Sequence, residues 1–214
     1  MTKKDFGLYL IITKPSFSYK KIAETAVKHN VKYLQLREKE LSDREILQAA
    51  DEIMSVTDGT ETRFVLNDRA DLAYICGADG LHLGQEDISM PDAKKICGEK
   101  VSKFGLSTHN LEQVKEAVKL KPDYIGFGPI FKTPTKIKPD PVTGIEIISE
   151  AVELAGDIPV VAIGGINGDN LRSVLDAGAR NVCMVRYFMD NVHLETRVKE
   201  TIDILKDYGI ELRN

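Results

Sequence analysis

Residues 159–166 read PVVAIGGI, a short apolar run that ends in two glycines and an isoleucine. The run is apolar at successive positions, which is typical of a parallel strand covered on both faces. Similar runs recur along the chain and are separated by amphipathic segments with helical spacing. They give eight strand candidates: Leu8–Thr13, Tyr33–Leu36, Phe64–Leu66, Gly80–Leu83, Lys103–Leu106, Tyr124–Phe127, Val160–Ile163 and Val182–Val185.

Helix-like segments follow these runs, and those after the third and fourth runs are shorter and less regular. The clearer helix candidates are Tyr19–His29, Asp43–Val56, Leu111–Leu120, Ile145–Leu154, Asp169–Ala177 and Glu195–Asp207. Alternation of strands and helices predicts βαβ units and a parallel sheet. Eight such units predict an α/β fold, a single (β/α)8 TIM barrel, with a doubly wound open sheet as the alternative. The length of 214 residues predicts one catalytic domain over residues 1–214.

Composition excludes several classes of partner. A formal net charge of -4 gives no overall basic field for nucleic acid, so any phosphate must be held by a local site. No apolar stretch reaches the roughly 20 residues that cross a bilayer, so no membrane partner is expected. The three cysteines are widely spaced and match no disulfide or zinc pattern, which favours a cytoplasmic protein. The sequence carries no signal on oligomeric state, and a homo-oligomer is compatible with it.

The second strand candidate leads into three polar residues on one face. Gln35, Arg37 and Lys39 alternate with leucine and glutamate, so they share one side of the strand. In a barrel this side faces inward, and two cations aimed into a concave site predict an anion such as phosphate. The alternative is a strand end held by salt bridges to Glu38 and Glu40.

Carboxylates follow the third and fourth strand candidates. Asp68 and Asp87 lie just past the ends of neighbouring strands, so we expect them to approach each other. One or two carboxylates together with substrate phosphates are what Mg2+ requires. The alternatives are plain ion pairing and, for Asp68, a helix N-cap.

The fifth strand candidate ends in further polar residues. Ser107 is an uncharged donor at the rim, and Thr108 or Asn110 could cap the next helix. His109 is either an acid–base group or a structural hydrogen-bonding residue of the loop. His82, on the fourth strand, is interpreted as an inward histidine with satisfied hydrogen bonds.

The last three strand candidates end in loops suited to anions. The sixth leads into Thr133, Thr135 and Lys136, and the non-periodic loop Lys132–Thr143 lies on the face where barrels place their active sites. The Gly-Gly-Ile turn after the seventh allows backbone N–H groups to approach a phosphate closely. Loops after the seventh and eighth strands form the usual phosphate site of such barrels.

Together these motifs resemble the thiamine-phosphate synthase family, in the family's order and over nearly the whole chain. The motifs are QLREK (35–39), NDR (67–69), HLGQxD (82–87), GxSxH (105–109), GPIFxTxTK (128–136) and GGI (164–166). They are individually loose and jointly specific. The resemblance implies a transferase that joins hydroxymethylpyrimidine diphosphate to thiazole phosphate and releases pyrophosphate, giving thiamine phosphate.

The resemblance also implies three groups of site residues. The pyrimidine diphosphate would be held by Gln35, Arg37, Lys39, Asn67, Ser107 and Lys136. Among these, the catalytic cations would be Arg37, Lys39 and Lys136. The magnesium ligands would be Asp68 and Asp87. The thiazole phosphate would be bound by Thr133, Thr135, Gly165, Val185 and Arg186.

Two departures from the family pattern stand out. Arg186 occupies a position where the family often has a small residue, commonly serine, and Ile137 leaves the position after Lys136 without its charge. Two alternative functions fit parts of the pattern. One is a thiazole tautomerase of the same superfamily, which would use His109 and would not need the diphosphate and magnesium residues. The other is a non-catalytic phosphate-ligand sensor on a barrel scaffold.

Overall fold

The computed structural model describes residues 5–133, 140–189 and 193–212. Its strands form a closed parallel barrel in sequential order. They are β1 Gly7–Ile12, β2 Tyr33–Leu36, β3 Arg63–Asn67, β4 Gly80–Leu83, β5 Lys103–Thr108, β6 Tyr124–Phe127, β7 Val160–Ile163 and β8 Asn181–Cys183. The prediction of a (β/α)8 barrel is confirmed, and the open-sheet alternative is wrong because β1 pairs with β8.

Helices surround the barrel. Within the described residues they are α1 Tyr19–Lys28, α2 Asp43–Thr57, α3 Ala70–Cys76, α4 Met90–Cys97, α5 Leu111–Leu120, α6 Ile148–Ala155, α7 Leu171–Asp176, α8 Val185–Met189 and α9 Leu194–Asp207. Several begin at side chains that accept a hydrogen bond from the first turn, namely Ser18, Ser42, Ser89 and Asn110. No helix in the described part of the chain is long and apolar enough to cross a membrane.

A buried amide reinforces barrel closure, beside the backbone pairing of β1 with β8. Asn181 of β8 is 1% exposed. Its Oδ1 accepts hydrogen bonds from the backbone N–H groups of Phe6 (2.8 Å) and Gly7 (3.1 Å). Its Nδ2 donates to the carbonyl of Val160 at 3.2 Å. The first strand is therefore tied to the last two through a single side chain.

The strands separate two apolar regions. Leu34 and Leu36 pack in the core between barrel and helices, whereas Gln35 points into the barrel, as predicted. A smaller cluster fills the barrel interior: Phe6, Tyr9, Ile11, Tyr33, Val65, Tyr124, Val161 and Cys183. We call this cluster the barrel floor, because the polar side chains described below lie above it.

The end of β8 differs from the sequence-based prediction. The apolar run Val182–Val185 predicts a strand through Val185, but β8 ends at Cys183 and Val185 begins α8. Phe188 and Met189 are buried one turn further on, so their burial favours a helical turn over a longer strand. Val185 and Arg186 consequently lie on a short helix at the barrel mouth rather than on a strand.

Candidate active site

A cavity of about 540 Å3 opens where the C-terminal ends of the strands meet. Side chains and backbone from β1 to α9 contribute to its wall. The lining includes Gln35, Arg37, Asn67, His82, Ser107, His109, Thr133, Asp140, Gly164, Gly165, Val185, Arg186 and Arg197. An adjoining cavity of about 300 Å3 contains Lys39, Asp68 and Asp87, and Asn67 lines both. The structure thus brings together every sequence-predicted site residue that it describes; Thr135 and Lys136 lie outside the described residues.

Gln35 is an almost fully buried polar residue of the wall. Its side chain is 1% exposed, and its Nε2 donates to the Tyr9 hydroxyl at 2.9 Å. Its Oε1 is buried and accepts no hydrogen bond within the described structure. A buried amide oxygen without a donor is costly, so this atom is suited to a donor group of a bound molecule.

Arg37 points into the main cavity without a carboxylate partner among the described residues. The neighbouring glutamates are engaged elsewhere. Glu38 accepts from the Lys14 N–H (2.9 Å) and the Tyr19 hydroxyl (3.1 Å), and Glu40 pairs with the Lys14 ammonium. The alternative interpretation of a salt-bridged strand end is therefore wrong for Arg37, whose charge faces the cavity.

Two carboxylates meet in the adjoining cavity. Asp68 forms an ion pair with Lys39, and Asp87 accepts a 2.7 Å hydrogen bond from the Gly84 N–H. Burial, and then the neighbouring Asp68 carboxyl, raise the pKa of Asp87. The residue at the N-cap of α3 is Arg69, so the N-cap interpretation of Asp68 is wrong.

This carboxylate pair fits a divalent ion shared with a ligand. No cluster of three or more His, Cys, Asp or Glu side chains suited to a metal occurs in the ranges that the structure describes. Two carboxylates are nevertheless sufficient for Mg2+ when phosphate oxygens and water complete the shell. Asp68 also adopts a left-handed backbone conformation, with φ of 62°. Such conformations cost energy in a non-glycine residue and concentrate at functional sites.

Ser107 is held from two sides. Its hydroxyl lies 2.9 Å from Nε2 of His82, and its carbonyl accepts from Gln85 at 2.5 Å. Nδ1 of the same histidine lies 3.1 Å from the Tyr124 hydroxyl. The interpretation of His82 as an inward histidine with satisfied hydrogen bonds is confirmed.

His109 contacts the loop that follows β6. Its Nδ1 is 2.5 Å from the carbonyl of Gly128, and its Nε2 lies 3.5 Å from the Asp140 carboxylate. Asn110, not Thr108, caps α5, because its side chain accepts from the Gln113 N–H. These contacts agree with the structural interpretation of His109.

The glycine turn after β7 is packed against the β6 loop. Gly164 and Gly165 have φ of 102° and 68°, a region that other residues rarely adopt. A Cβ on Gly165 would lie 2.6 Å from that of Phe131. The Phe131 N–H donates to the Gly164 carbonyl at 2.9 Å. This close approach sets the turn beside Thr133 at the cavity wall.

Sequence reasoning missed the cation Arg197 in this wall. Arg197 belongs to α9, yet it lines the cavity with Arg186. Its guanidinium lies 4.3 Å from the ring centre of Tyr187 and donates to the Tyr187 carbonyl at 2.6 Å. On an amphipathic helix, arginine ordinarily indicates a solvent-facing position, so the sequence contains no local signal for this contact.

A (β/α)8 barrel whose mouth combines cations, paired carboxylates and a glycine turn around one cavity belongs to the class of barrel enzymes that act on phosphorylated small molecules. Comparisons with known proteins identify the family within this class. A family model described as thiamine monophosphate synthase matches residues 8–188. The chain belongs to this family.

Individual thiamine-phosphate synthases are similar to this chain in sequence along nearly their whole length. The chain is 38% identical to a thiamine-phosphate synthase of Dictyoglomus turgidum over 96% of this chain and 92% of that protein. It is 38% identical to one of Halalkalibacterium halodurans over 97% and 99%, respectively. A solved structure of thiamine phosphate pyrophosphorylase from Pyrococcus furiosus superposes with a TM-score of 0.83 at 30% identity, covering 96% of this chain and 98% of that one.

Proposed function

We propose that this protein is a thiamine-phosphate synthase. It couples hydroxymethylpyrimidine diphosphate with thiazole phosphate, giving thiamine phosphate and pyrophosphate. The observation that carries the proposal is the side-by-side pair Asp68 and Asp87, next to Lys39 and to a cavity that contains Arg37, a cation with no carboxylate partner among the described residues. Cations beside a pair of metal-binding carboxylates are suited to a diphosphate. A ligand without a diphosphate would form no ionic contacts with these groups.

The pyrimidine diphosphate occupies the β2–β5 side of the cavity in this proposal. Gln35, Asn67 and Ser107 bind the ring, and Arg37 and Lys39 bind the diphosphate. Lys136 also acts on the diphosphate, an assignment that rests on the family resemblance because this residue lies outside the described ranges. Asp68 and Asp87 would hold Mg2+, which when bound neutralises charge on the departing pyrophosphate.

The chain's own residues promote this departure electrostatically. Negative charge grows on the pyrophosphate as its bond to the methylene carbon breaks, and Arg37 and Lys39 stabilise that charge. The electron-rich aminopyrimidine carries the positive charge left on carbon, so no protein nucleophile is required. The thiazole nitrogen then takes up the methylene carbon. Catalysis on this account consists of positioning and charge stabilisation.

The thiazole phosphate occupies the β6–β8 side. Thr133, Gly165, Val185 and Arg186 line this side of the cavity, and Thr135 lies outside the described residues. Backbone N–H groups of the glycine turn are suited to the phosphate oxygens. The exposed Arg186 side chain adds a cation at the rim.

The proposed cellular setting follows from the substrates and cysteines. Small-molecule substrates are the partners, with no nucleic acid or membrane partner. All three cysteines are free, which supports a location in the reducing cytoplasm. A homo-oligomer is compatible with this function.

A coupling assay tests the proposal. Purified protein is mixed with Mg2+ and both phosphorylated substrates, and thiamine phosphate and pyrophosphate are measured together. Equal amounts of both products are expected. Isomerisation of the thiazole without coupling would instead identify a tautomerase, and binding without any product would identify a sensor. Omission of each substrate in turn provides the control.

A further inference from the structure

A hydrogen-bonded chain crosses the barrel beneath the main cavity. It runs from Gln35 Nε2 to the Tyr9 hydroxyl (2.9 Å), then to the Tyr124 hydroxyl (2.7 Å). From there it continues to Nδ1 of His82 (3.1 Å), whose Nε2 reaches the Ser107 hydroxyl (2.9 Å). Both ends, Gln35 and Ser107, line the cavity, whereas the two tyrosines lie below it in the barrel floor.

The hydrogen bonds of this series all point the same way, because each tyrosine hydroxyl has one proton and can donate only one hydrogen bond. Burial is the largest influence on both hydroxyls and raises the pKa of Tyr9 and of Tyr124 far above the ordinary value, so both remain protonated. With the Gln35 amide donating to Tyr9, Tyr9 donates to Tyr124 and Tyr124 donates to Nδ1 of His82. Nδ1 of His82 is then the acceptor, and its Nε2 donates a proton to the Ser107 hydroxyl.

The two cavity ends are therefore complementary. In this direction Gln35 presents its unpartnered Oε1 as an acceptor, and the Ser107 proton is directed away from His82, as a donor. Rotation of the Gln35 amide by half a turn would reverse every bond and exchange the two roles. In either state one end accepts and the other donates.

We infer that Tyr9 and Tyr124 are positioning residues that couple Gln35 to Ser107, so that the cavity selects a ring edge carrying one donor and one acceptor. This inference rests on the proposed function and deepens it. An amino group beside a ring nitrogen presents this pair of groups, as the aminopyrimidine does. A ring without the amino group leaves the Gln35 amide oxygen buried and unpaired, which is the costly outcome.

The absence of a side chain at Gly105 leaves space for the Tyr124 ring. A Cβ on Gly105 of β5 would lie 2.2 Å from Cζ of the Tyr124 ring. The ring of Tyr124 thus lies directly against the β5 backbone, and it stacks on His82 with 5.6 Å between ring centres. Packing therefore holds the rings of Tyr124 and His82 in the orientation that their hydrogen bonds require.

Three phenylalanine variants test the inference: Tyr9→Phe, Tyr124→Phe and, as the matched control, Tyr33→Phe. Tyr33 belongs to the same buried cluster and stacks on Tyr9, but its hydroxyl is not a member of the chain. Calorimetric titration measures binding of hydroxymethylpyrimidine diphosphate, with Mg2+, and separately of thiazole phosphate. We expect Tyr9→Phe and Tyr124→Phe to weaken the pyrimidine ligand about tenfold. Thiazole phosphate binding should be unchanged in all three variants.

A second measurement separates positioning from general packing. The probe is the same pyrimidine diphosphate with hydrogen in place of the amino group. The unmodified protein should prefer the amino compound at least about a hundredfold, and the two chain variants should reduce this preference to about tenfold. The Tyr9→Phe/Tyr124→Phe double variant should lose little more than either single variant, because one chain is cut in both.

The outcomes distinguish this inference from the proposed function. If the unmodified protein fails to bind the pyrimidine diphosphate, both are overturned. If it binds and couples, but Tyr9→Phe and Tyr124→Phe keep the full preference for the amino compound, only the positioning role is overturned. Equal weakening of both substrates with a lower melting temperature would also overturn it.

Discussion

The barrel floor and the adjoining cavity that contains Asp68 and Asp87, here called the carboxylate cavity, satisfy their polar groups in opposite ways. Tyr9 and Tyr124 of the barrel floor and His82 of the main cavity wall are hydrogen-bonded to one another inside the fold. In the carboxylate cavity, Asp68 and Asp87 approach each other, and Lys39 forms an ion pair with Asp68. The first arrangement is complete before any ligand arrives, whereas the second retains like charges that a cation or ligand must relieve. Orientation and charge stabilisation are thus assigned to separate parts of the wall.

The largest effect should come from disturbing the floor at Gly105. In Gly105→Ala the new Cβ would overlap the Tyr124 ring, so the ring must move. We expect a loss of about 3 kcal/mol in the free energy of unfolding, at the upper end for overpacked cores. Urea unfolding measures it. Gly126→Ala is the matched control, because its Cβ would meet its nearest neighbour at 3.5 Å, an ordinary contact. Equal stability of the two variants would show that the floor is not tightly packed.

The next effect concerns the carboxylates and should appear in the rate. Asp68→Ala or Asp87→Ala removes one of two proposed magnesium ligands, and we expect at least a tenfold slower turnover, about 1.4 kcal/mol. Turnover is measured over a Mg2+ titration, with Asp92→Ala as the control, since Asp92 pairs with Lys95 on α4 away from both cavities. Undiminished turnover of the unmodified protein after thorough chelation would contradict the metal assignment.

A smaller effect is expected at Arg186. The residue is exposed, so its contribution to phosphate binding should be about 1 kcal/mol, below the roughly 1.5–3 kcal/mol of a well-formed bond to a charged group. Arg186→Ser should weaken thiazole phosphate accordingly and leave the pyrimidine diphosphate unaffected. Separate titrations of the two substrates measure this. Complete loss of thiazole phosphate binding would mean that the side chain, not the backbone, holds the phosphate. Equal losses for both substrates would contradict the division of the cavity.

The smallest effect should be a gain in stability, in contrast to the losses expected for the preceding variants, and it concerns Asp87→Asn. Because the pKa of Asp87 is raised in the folded protein, ionisation of this carboxyl disfavours folding, and stability falls as pH rises from the ordinary carboxyl pKa through the raised value. Asp87→Asn should therefore slightly raise the melting temperature of metal-free protein at pH 8 and have no such effect at pH 3. Asp92→Asn should show no gain, because Lys95 and Ser89 lower the pKa of Asp92. A lower melting temperature for Asp87→Asn at pH 8 would contradict this account.

The fold was largely predictable because strands buried on both faces leave a continuous apolar signature. The same signature misled at Val185, where a buried helical turn and a strand have equally apolar sequences. Residues at strand ends, such as Gln35 and Asp87, were also predictable, since parallel strands bring their carboxyl ends together. One domain over residues 1–214 stays a prediction.

Other features had no local signal. Tyr9 and Tyr124 resemble ordinary core aromatics, and their hydroxyls acquire meaning only when residues 115 positions apart come within 2.7 Å. Ion pairing of Asp68 was an open alternative from the sequence, but its partner, Lys39, depends on how two strand ends are spaced in the closed barrel. Such pairings are properties of the assembled sheet, which short-range patterns do not encode.

The amide of Asn181 has a consequence for the order in which the protein is made. It bonds to Phe6 across 175 positions, so during synthesis one edge of β1 remains unpaired until the segment around Asn181 has left the ribosome. An exposed strand edge is a template for pairing with other chains. The nascent protein therefore exposes an unpaired edge of β1, which can pair with other chains, and this exposure ends when Asn181 emerges and β8 can form.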